Sequence, residues 1–143
     1  MMTVELECPS VAGSVTGPPA ERRDTILVVD DEETIRYIVP LILERRGYRV
    51  LIARDGMQAL RICSEFPGHI DLLLTDLMMP RMNGWDVARF VKRDRPATKV
   101  LYMSGYAESV LSRQEACGAM AHFLKKPFPE EVLLAKVREA LAA

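Results

Sequence analysis

The stretch Ile70-Asp71-Leu72-Leu73-Leu74-Thr75-Asp76-Leu77-Met78-Met79-Pro80 decides how the rest of the chain is read. An apolar run ends at a carboxylate and is followed by Pro80 and the turn pair Asn83-Gly84. Lacking alternation, the run reads as a strand covered on both faces, whose carboxyl end delivers Asp76 to a surface crevice.

Outward from that strand the pattern repeats. Upstream, Thr25-Ile26-Leu27-Val28-Val29 is β-branched and apolar throughout and stops at Asp30-Asp31. A helix is expected over 32–46, with Ile35, Ile38, Val39 and Ile42 on one face and Gly47 past its end. Pro40 falls inside it and removes one backbone hydrogen bond at about 3 kcal/mol, so a kink is expected unless packing compensates. A short strand over 49–53 and a helix over 56–65 follow, the helix turning Met57, Leu60 and Ile62 inward.

Downstream, Asn83 can cap a third helix that runs to about residue 93, with Asp86 at the reciprocal capping position and Pro96 blocking continuation. A fourth strand over 99–103 ends at Ser104-Gly105, and a weak helix over 108–117 is closed by Gly118. The fifth strand spans 121–125. Pro129-Glu130-Glu131 opens the last helix, on which Leu134, Val137 and Leu141 share a face.

Five such strand–helix units imply an α/β fold, a doubly wound parallel sheet with helices on both sides. Ligands of such sheets bind outside the carboxyl ends of the strands. Here those ends carry Asp30-Asp31, Asp76, Ser104 and Lys125-Lys126.

Composition narrows the function classes. A chain of 143 residues suits one domain with one proper core. Its three cysteines, Cys8, Cys63 and Cys117, are scattered, which fits a reducing compartment and no zinc site; Cys63 and Cys117 read as small apolar filler. His69 and His122 are isolated, which argues against metal binding through imidazole. No apolar run approaches the ~18 residues of a membrane span, and no signal peptide opens the chain, so a cytoplasmic domain without membrane contact is expected. A formal net charge of −1 gives no whole-molecule reason to expect direct nucleic-acid binding.

Residues 1–24 read as a flexible tail or linker, marked by Pro9, Gly13, Gly17, Pro18 and Pro19, and 25–143 as the folded domain. Within the tail, Thr3-Val4-Glu5-Leu6-Glu7-Cys8 alternates like a half-buried strand. It is either the remnant of an upstream domain or a chance pattern.

Three carboxylates at neighbouring strand ends repel one another, and a divalent cation removes that conflict. A hard oxygen site that keeps several waters suits Mg²⁺. Helix capping would explain one of Asp30 and Asp31 but not why Asp76 ends the adjacent strand. With a metal on one side, Asp76 can accept a phosphoryl group; Lys126 then supplies a cation and Ser104 a hydroxyl donor. Taken singly, a lysine and a Ser-Gly turn are ordinary surface features.

Residues 25–141 resemble the receiver domain of two-component response regulators. The matching stretches are Val28-Val29-Asp30-Asp31-Glu32, Thr75-Asp76-Leu77-Met78-Met79-Pro80 with Met82-Asn83-Gly84, Met103-Ser104-Gly105-Tyr106, and Lys126-Pro127-Phe128. The resemblance implies a flavodoxin-like fold with five helices and strand order 2-1-3-4-5, and makes Asp76 the phospho-acceptor. It implies Asp31, Asp76 and the Met78 carbonyl as direct Mg²⁺ ligands, and Asp30 as a ligand acting through a water. Ser104 becomes the switch hydroxyl and Lys126 the site lysine. Lys126 is preferred to Lys125 because it stands directly before Pro127-Phe128, and neighbouring strand residues point to opposite faces. Phe123 takes the place of the switch aromatic but has no hydroxyl to bond, and Met78 and Tyr106 flank the pocket.

The implied partner is a histidine kinase or histidine phosphotransfer protein, and the implied output face is built from the fourth helix, fifth strand and fifth helix, with a homodimer through that face left open. Phosphotransfer and self-dephosphorylation are then the only chemistry. Since Ala143 closely follows the last helix, the expectation is a free-standing regulator that acts by docking or one receiver of a longer protein. The wording around Ser104 and Lys126, together with the tail, is most similar to receivers of hybrid sensor kinases.

Three rivals compete. An Asp-x-Asp phosphatase would need a second carboxylate where Met78 stands. A nucleotide or flavin binder would want a glycine-rich loop where Asp30-Asp31-Glu32-Glu33 repels phosphate. A phosphorylation-independent interaction domain is compatible with the same residues.

Overall fold

The computed structural model describes residues 23–105 and 122–143. Five strands form one sheet: β1 (Thr25–Val29), β2 (Arg49–Ala53), β3 (Leu72–Asp76), β4 (Lys99–Ser104) and β5 (His122–Lys125), in the order β2-β1-β3-β4-β5 with every pair parallel. The helices are α1 (Glu33–Arg45), α2 (Gly56–Glu65), α3 (Gly84–Asp94) and α4 (Glu130–Ala142). The expected doubly wound α/β sheet is therefore present, with four described helices where five were expected. The helix expected over 108–117, Tyr106, Cys117, Cys8 and the strand-like run in the tail lie outside the described residues.

The sheet is covered on both sides, which is why its inner strands show no polar alternation. Ile26, Val28, Leu72, Leu74, Leu101, Met103 and Leu124 pack with α1 and α4. Leu27, Val29, Leu73 and Tyr102 pack with α2 and α3 on the other face. Strands β1 and β3 are buried at every position. Edge strand β2 is not, and Ile52 on it stays 43% exposed.

The helices hold two corrections. In α1 the buried residues are Val39, Pro40, Ile42 and Leu43, with Ile35 partly covered, whereas Ile38 is exposed. The helix runs unbroken through Pro40, whose ring is buried. In α2 the side that meets the sheet carries Ala59 and Cys63; Leu60 and Ile62 are half-buried, and Met57 is exposed rather than inward. Small residues face the core, and at the start of the helix a Cβ on Gly56 would lie 2.6 Å from the sulfur of Met82 in the loop after β3. The apolar period admits Met57 as an inward residue, but the buried stripe is rotated onto the small side chains. The expected filler role of Cys63 agrees with its burial.

Helix starts follow local chemistry. Asn83 Oδ1 accepts from the Asp86 N–H at 2.9 Å, the expected cap of α3, and Asp55 Oδ1 accepts from the Gln58 N–H at 2.8 Å at the start of α2. In α4, Leu134 and Val137 are buried with Leu133 and Ala140, and Leu141 is partly covered. Among the described residues no helix is long and apolar enough to cross a membrane.

Candidate functional site

Parity along the strands assembles the site. Asp30, Asp76 and Lys126 continue the rows Ile26-Val28, Leu72-Leu74 and Leu124, all of which lie on the α1–α4 side of the sheet. Lys125 falls in the alternate row and is exposed, whereas the Lys126 ammonium lies beside Asp30 and Asp76. Carboxylate oxygens of Asp30, Asp31 and Asp76 lie within 4.8 Å of one another. Asp30 and Asp76 are buried, and Asp31 is exposed at the mouth.

Neither Asp30 nor Asp31 caps α1, whose N-cap position is Glu32 with no side-chain cap. Instead Asp30 Oδ1 accepts from the Glu32 N–H at 2.8 Å, and the Asp30 carbonyl accepts from the Arg36 guanidinium at 2.9 Å. These bonds tie the loop after β1 to the first turn of α1.

Lys126 is the cation at the centre. Its Nζ is 2.9 Å from Asp30 Oδ2, 2.9 Å from Glu32 Oε1 and 3.4 Å from Asp76 Oδ1. The contact to Asp30 is one of charge: that oxygen is buried and receives no aligned hydrogen bond. Burial pushes the Asp76 carboxyl up to about 6, reinforced by the charge of Asp30 and offset in part by Lys126. Asp30 is raised for the same reason, against the Glu32 N–H bond and Lys126. Burial opposes the charge on Lys126, but its contacts with Asp30 and Glu32 outweigh that and hold the ammonium above the usual lysine range.

The loop after β3 is folded tightly. Leu77 N–H donates to the Met103 carbonyl at 2.9 Å, Gly84 N–H donates to the Leu77 carbonyl at 2.9 Å, and Arg81 adopts φ 68°, a left-handed conformation uncommon outside glycine. This loop leaves Met78 60% exposed beside a cleft of about 710 Å³ that Asp31, Glu32, Ile38, Asp76 and Lys126 also line.

Ser104 ends β4 and is buried; its carbonyl accepts from the Lys126 N–H at 2.8 Å, while Gly105 rather than Ser104 lines the cleft. Phe123 is half-buried on the opposite face of the sheet, with its ring centroid 5.5 Å from Tyr102 and 5.8 Å from Trp85.

Chemically, the cluster offers hard oxygen donors, two of them buried, and a surplus of negative charge that one lysine does not balance. It fits a divalent cation: bound positive charge would offset the burial and the Asp30 charge that together raise Asp76, and give the undonated oxygen of Asp30 a partner. Sequence reading missed the part of Glu32. Its only signal was a third acidic residue directly after Asp30-Asp31 at a helix start.

A profile of the response regulator receiver domain matches residues 26–138. The chain belongs to the response regulator receiver family. This receiver is 37% identical over 117 residues to the sensor kinase CckA of Brucella abortus, covering 82% of this chain and 12% of that protein. It is 33% identical over 116 residues to the transcriptional regulatory protein CpxR of Escherichia coli, covering 81% of this chain and 48% of that one. The chain thus spans about half or less of the length of these curated relatives. Among solved structures, the receiver domain of the hybrid histidine kinase CckA superposes with a TM-score of 0.69 at 33% identity, covering 82% of this chain and 98% of that one. The chemotaxis protein CheY4 of Vibrio cholerae gives 0.73 at 29% identity, covering 83% and 99%. The receiver is a domain of two-component signalling.

Proposed function

We propose that this receiver takes a phosphoryl group onto Asp76 from a phosphohistidine of a kinase or histidine phosphotransfer protein, in a Mg²⁺-dependent reaction. The observation that carries this is the convergence of Asp30, Asp31, Asp76 and Lys126 from separate strand ends on one pocket.

Asp30, Asp31, Asp76 and the Met78 carbonyl would hold the metal, which supplies positive charge to phosphoryl oxygens during transfer. A carboxylate oxygen of Asp76 attacks phosphorus; the bond to the donor imidazole nitrogen breaks as the new oxygen–phosphorus bond forms. Lys126 orients the group by charge. Ser104 would answer the new oxygens with its hydroxyl, and Phe123 would follow by repacking against Tyr102 and Trp85. The readout is a changed surface on the predicted fourth helix, β5 and α4, which a second copy or another partner recognises. Water entering beside Met78 reverses the modification, so phosphotransfer and self-dephosphorylation are the only chemistry of the domain.

Likeness to CckA supports a place in a longer hybrid kinase; there the domain would work in the cytoplasm, with residues 1–24 as linker. A kinase domain in frame upstream in the gene is the expected finding.

The test is incubation with a small-molecule phosphodonor followed by intact-mass measurement. A gain of one phosphoryl group that needs Mg²⁺ and is lost in Asp76→Asn is expected. No gain would leave a phosphorylation-independent interaction domain, and a gain that survives Asp76→Asn would place the modification on another residue; either outcome removes the receiver mechanism at Asp76.

A further inference from the structure

Lys126 is already engaged when a phosphoryl group arrives: Nζ donates a hydrogen bond to Glu32 Oε1 and is in ionic contact with Asp30 and Asp76. An ammonium carries three N–H donors and accepts nothing, and Nζ already faces Asp30 Oδ2 at 2.9 Å, Glu32 Oε1 at 2.9 Å and Asp76 Oδ1 at 3.4 Å. A new oxygen competes with these contacts for the ammonium, and the one held least firmly gives way first.

Burial decides which. Asp30 is fully buried, and stripping a buried charge of its counter-ion is strongly unfavourable. Asp76 carries the incoming group and stays beside the lysine. The side chain of Glu32 is 60% exposed, so water can replace the ammonium there with little loss. The backbone of Glu32 is fixed by its N–H bond to Asp30 Oδ1 at 2.8 Å and by its carbonyl, which accepts from Arg36 N–H at 3.1 Å. Only the side chain can turn away.

We propose that Glu32 is a positioning residue: it holds Lys126 in the acidic pocket before loading and competes with the phosphoryl group for it. Loading of Asp76 then exchanges one exposed carboxylate for a phosphoryl oxygen at the lysine. The inference rests on Asp76 being the phospho-acceptor. It assigns the strength of the phosphorylated state in part to a residue outside the three-aspartate cluster.

The experiment is calorimetric titration of the full chain with beryllium fluoride, a phosphoryl mimic, at saturating Mg²⁺. Glu32→Gln should bind it about two- to five-fold more tightly than wild type, the range expected for loss of a competing exposed ion pair. Glu33→Gln removes the same charge one residue along and should change binding by less than half as much. Glu32→Asp keeps the charge but shortens the reach and should behave like Glu32→Gln.

Equal effects of Glu32→Gln and Glu33→Gln would reduce Glu32 to a general field and overturn the inference, as would a Glu32→Asp that binds like wild type. Unchanged or weaker binding by Glu32→Gln would also overturn it, the latter because the glutamate would then aim the lysine at the group. If wild type binds in an Asp76-dependent way while these variants fail, only this inference falls. A wild type that takes up no mimic overturns the phospho-acceptor reading and this inference together.

Discussion

Gly84 lies against the backbone of Asp76: a Cβ at residue 84 would stand 2.4 Å from the Asp76 carbonyl oxygen and 3.0 Å from Leu77 Cα. The first residue of α3 thus presses on the strand end that carries the central carboxylate. Gly84→Ala has only backbone to push on, so it should cost about 1–3 kcal/mol, as overpacking does. Urea unfolding measures that loss, and intact-mass phosphorylation of the folded fraction should fall with it, because the shift reaches Asp76 directly.

The raised Asp76 carboxyl makes stability depend on pH. Its folded value, about 6, exceeds the ordinary 3.8, so the native state binds the proton more tightly than the unfolded chain. Its stabilising contribution is complete below 3.8 and is lost as pH rises through about 6. In metal-free buffer at pH 7, Asp76→Asn should therefore be more stable than wild type by about 1–2 kcal/mol after allowance for solvent screening. The difference should vanish below about pH 4 in denaturant titrations across pH.

Mg²⁺ should remove the same penalty. A cation that binds only the folded state adds about 2.7 kcal/mol at one hundred times its dissociation constant. Thermal melts with and without chelator should show wild type stabilised by Mg²⁺ and Asp31→Ala nearly indifferent. Asp31 is exposed, so its loss leaves the metal-free fold intact.

Arg95, the C-cap of α3, closes the end of α2. Its guanidinium donates to the carbonyls of Cys63 at 2.9 Å, Phe66 at 2.7 Å and Gly68 at 2.7 Å. Arg95→Ala should cost about 2–3 kcal/mol in chemical denaturation, the scale of charged hydrogen bonds partly open to water. Lysine should rescue little, since an ammonium cannot span three carbonyls with a planar fork.

The two faces of α2 predict opposite mutational responses. Met57 is exposed, so Met57→Ala should change stability by less than about 0.5 kcal/mol. Ala59 is fully buried, and Ala59→Met should cost about 1–3 kcal/mol by overpacking. Equal effects at the two positions would contradict the orientation described for this helix.

These contrasts mark where the sequence was legible. The ends of β1 and β3 could be read because each apolar run stops at aspartate, and an uncompensated carboxylate does not continue into a core. Strand parity allowed only one of Lys125 and Lys126 to enter the site, and the resemblance at Lys126-Pro127-Phe128 chose between them. The orientations of Ile38 and Met57 could not be read: a helical period shows that one stripe is apolar, but several rotations of the helix satisfy it about equally.

Local patterns along the chain therefore determined the order of elements, the parallel sheet and the set of acidic and basic residues at its carboxyl edge, because periodicity and turn chemistry act within a few residues. Only the tertiary structure decided which face each helix buries, that Glu32 shares Lys126 with Asp30 and Asp76, and that Gly84 bears on the Asp76 backbone. Those facts depend on atoms distant in sequence meeting at van der Waals or ionic range, and such meetings are fixed by close packing of the whole core.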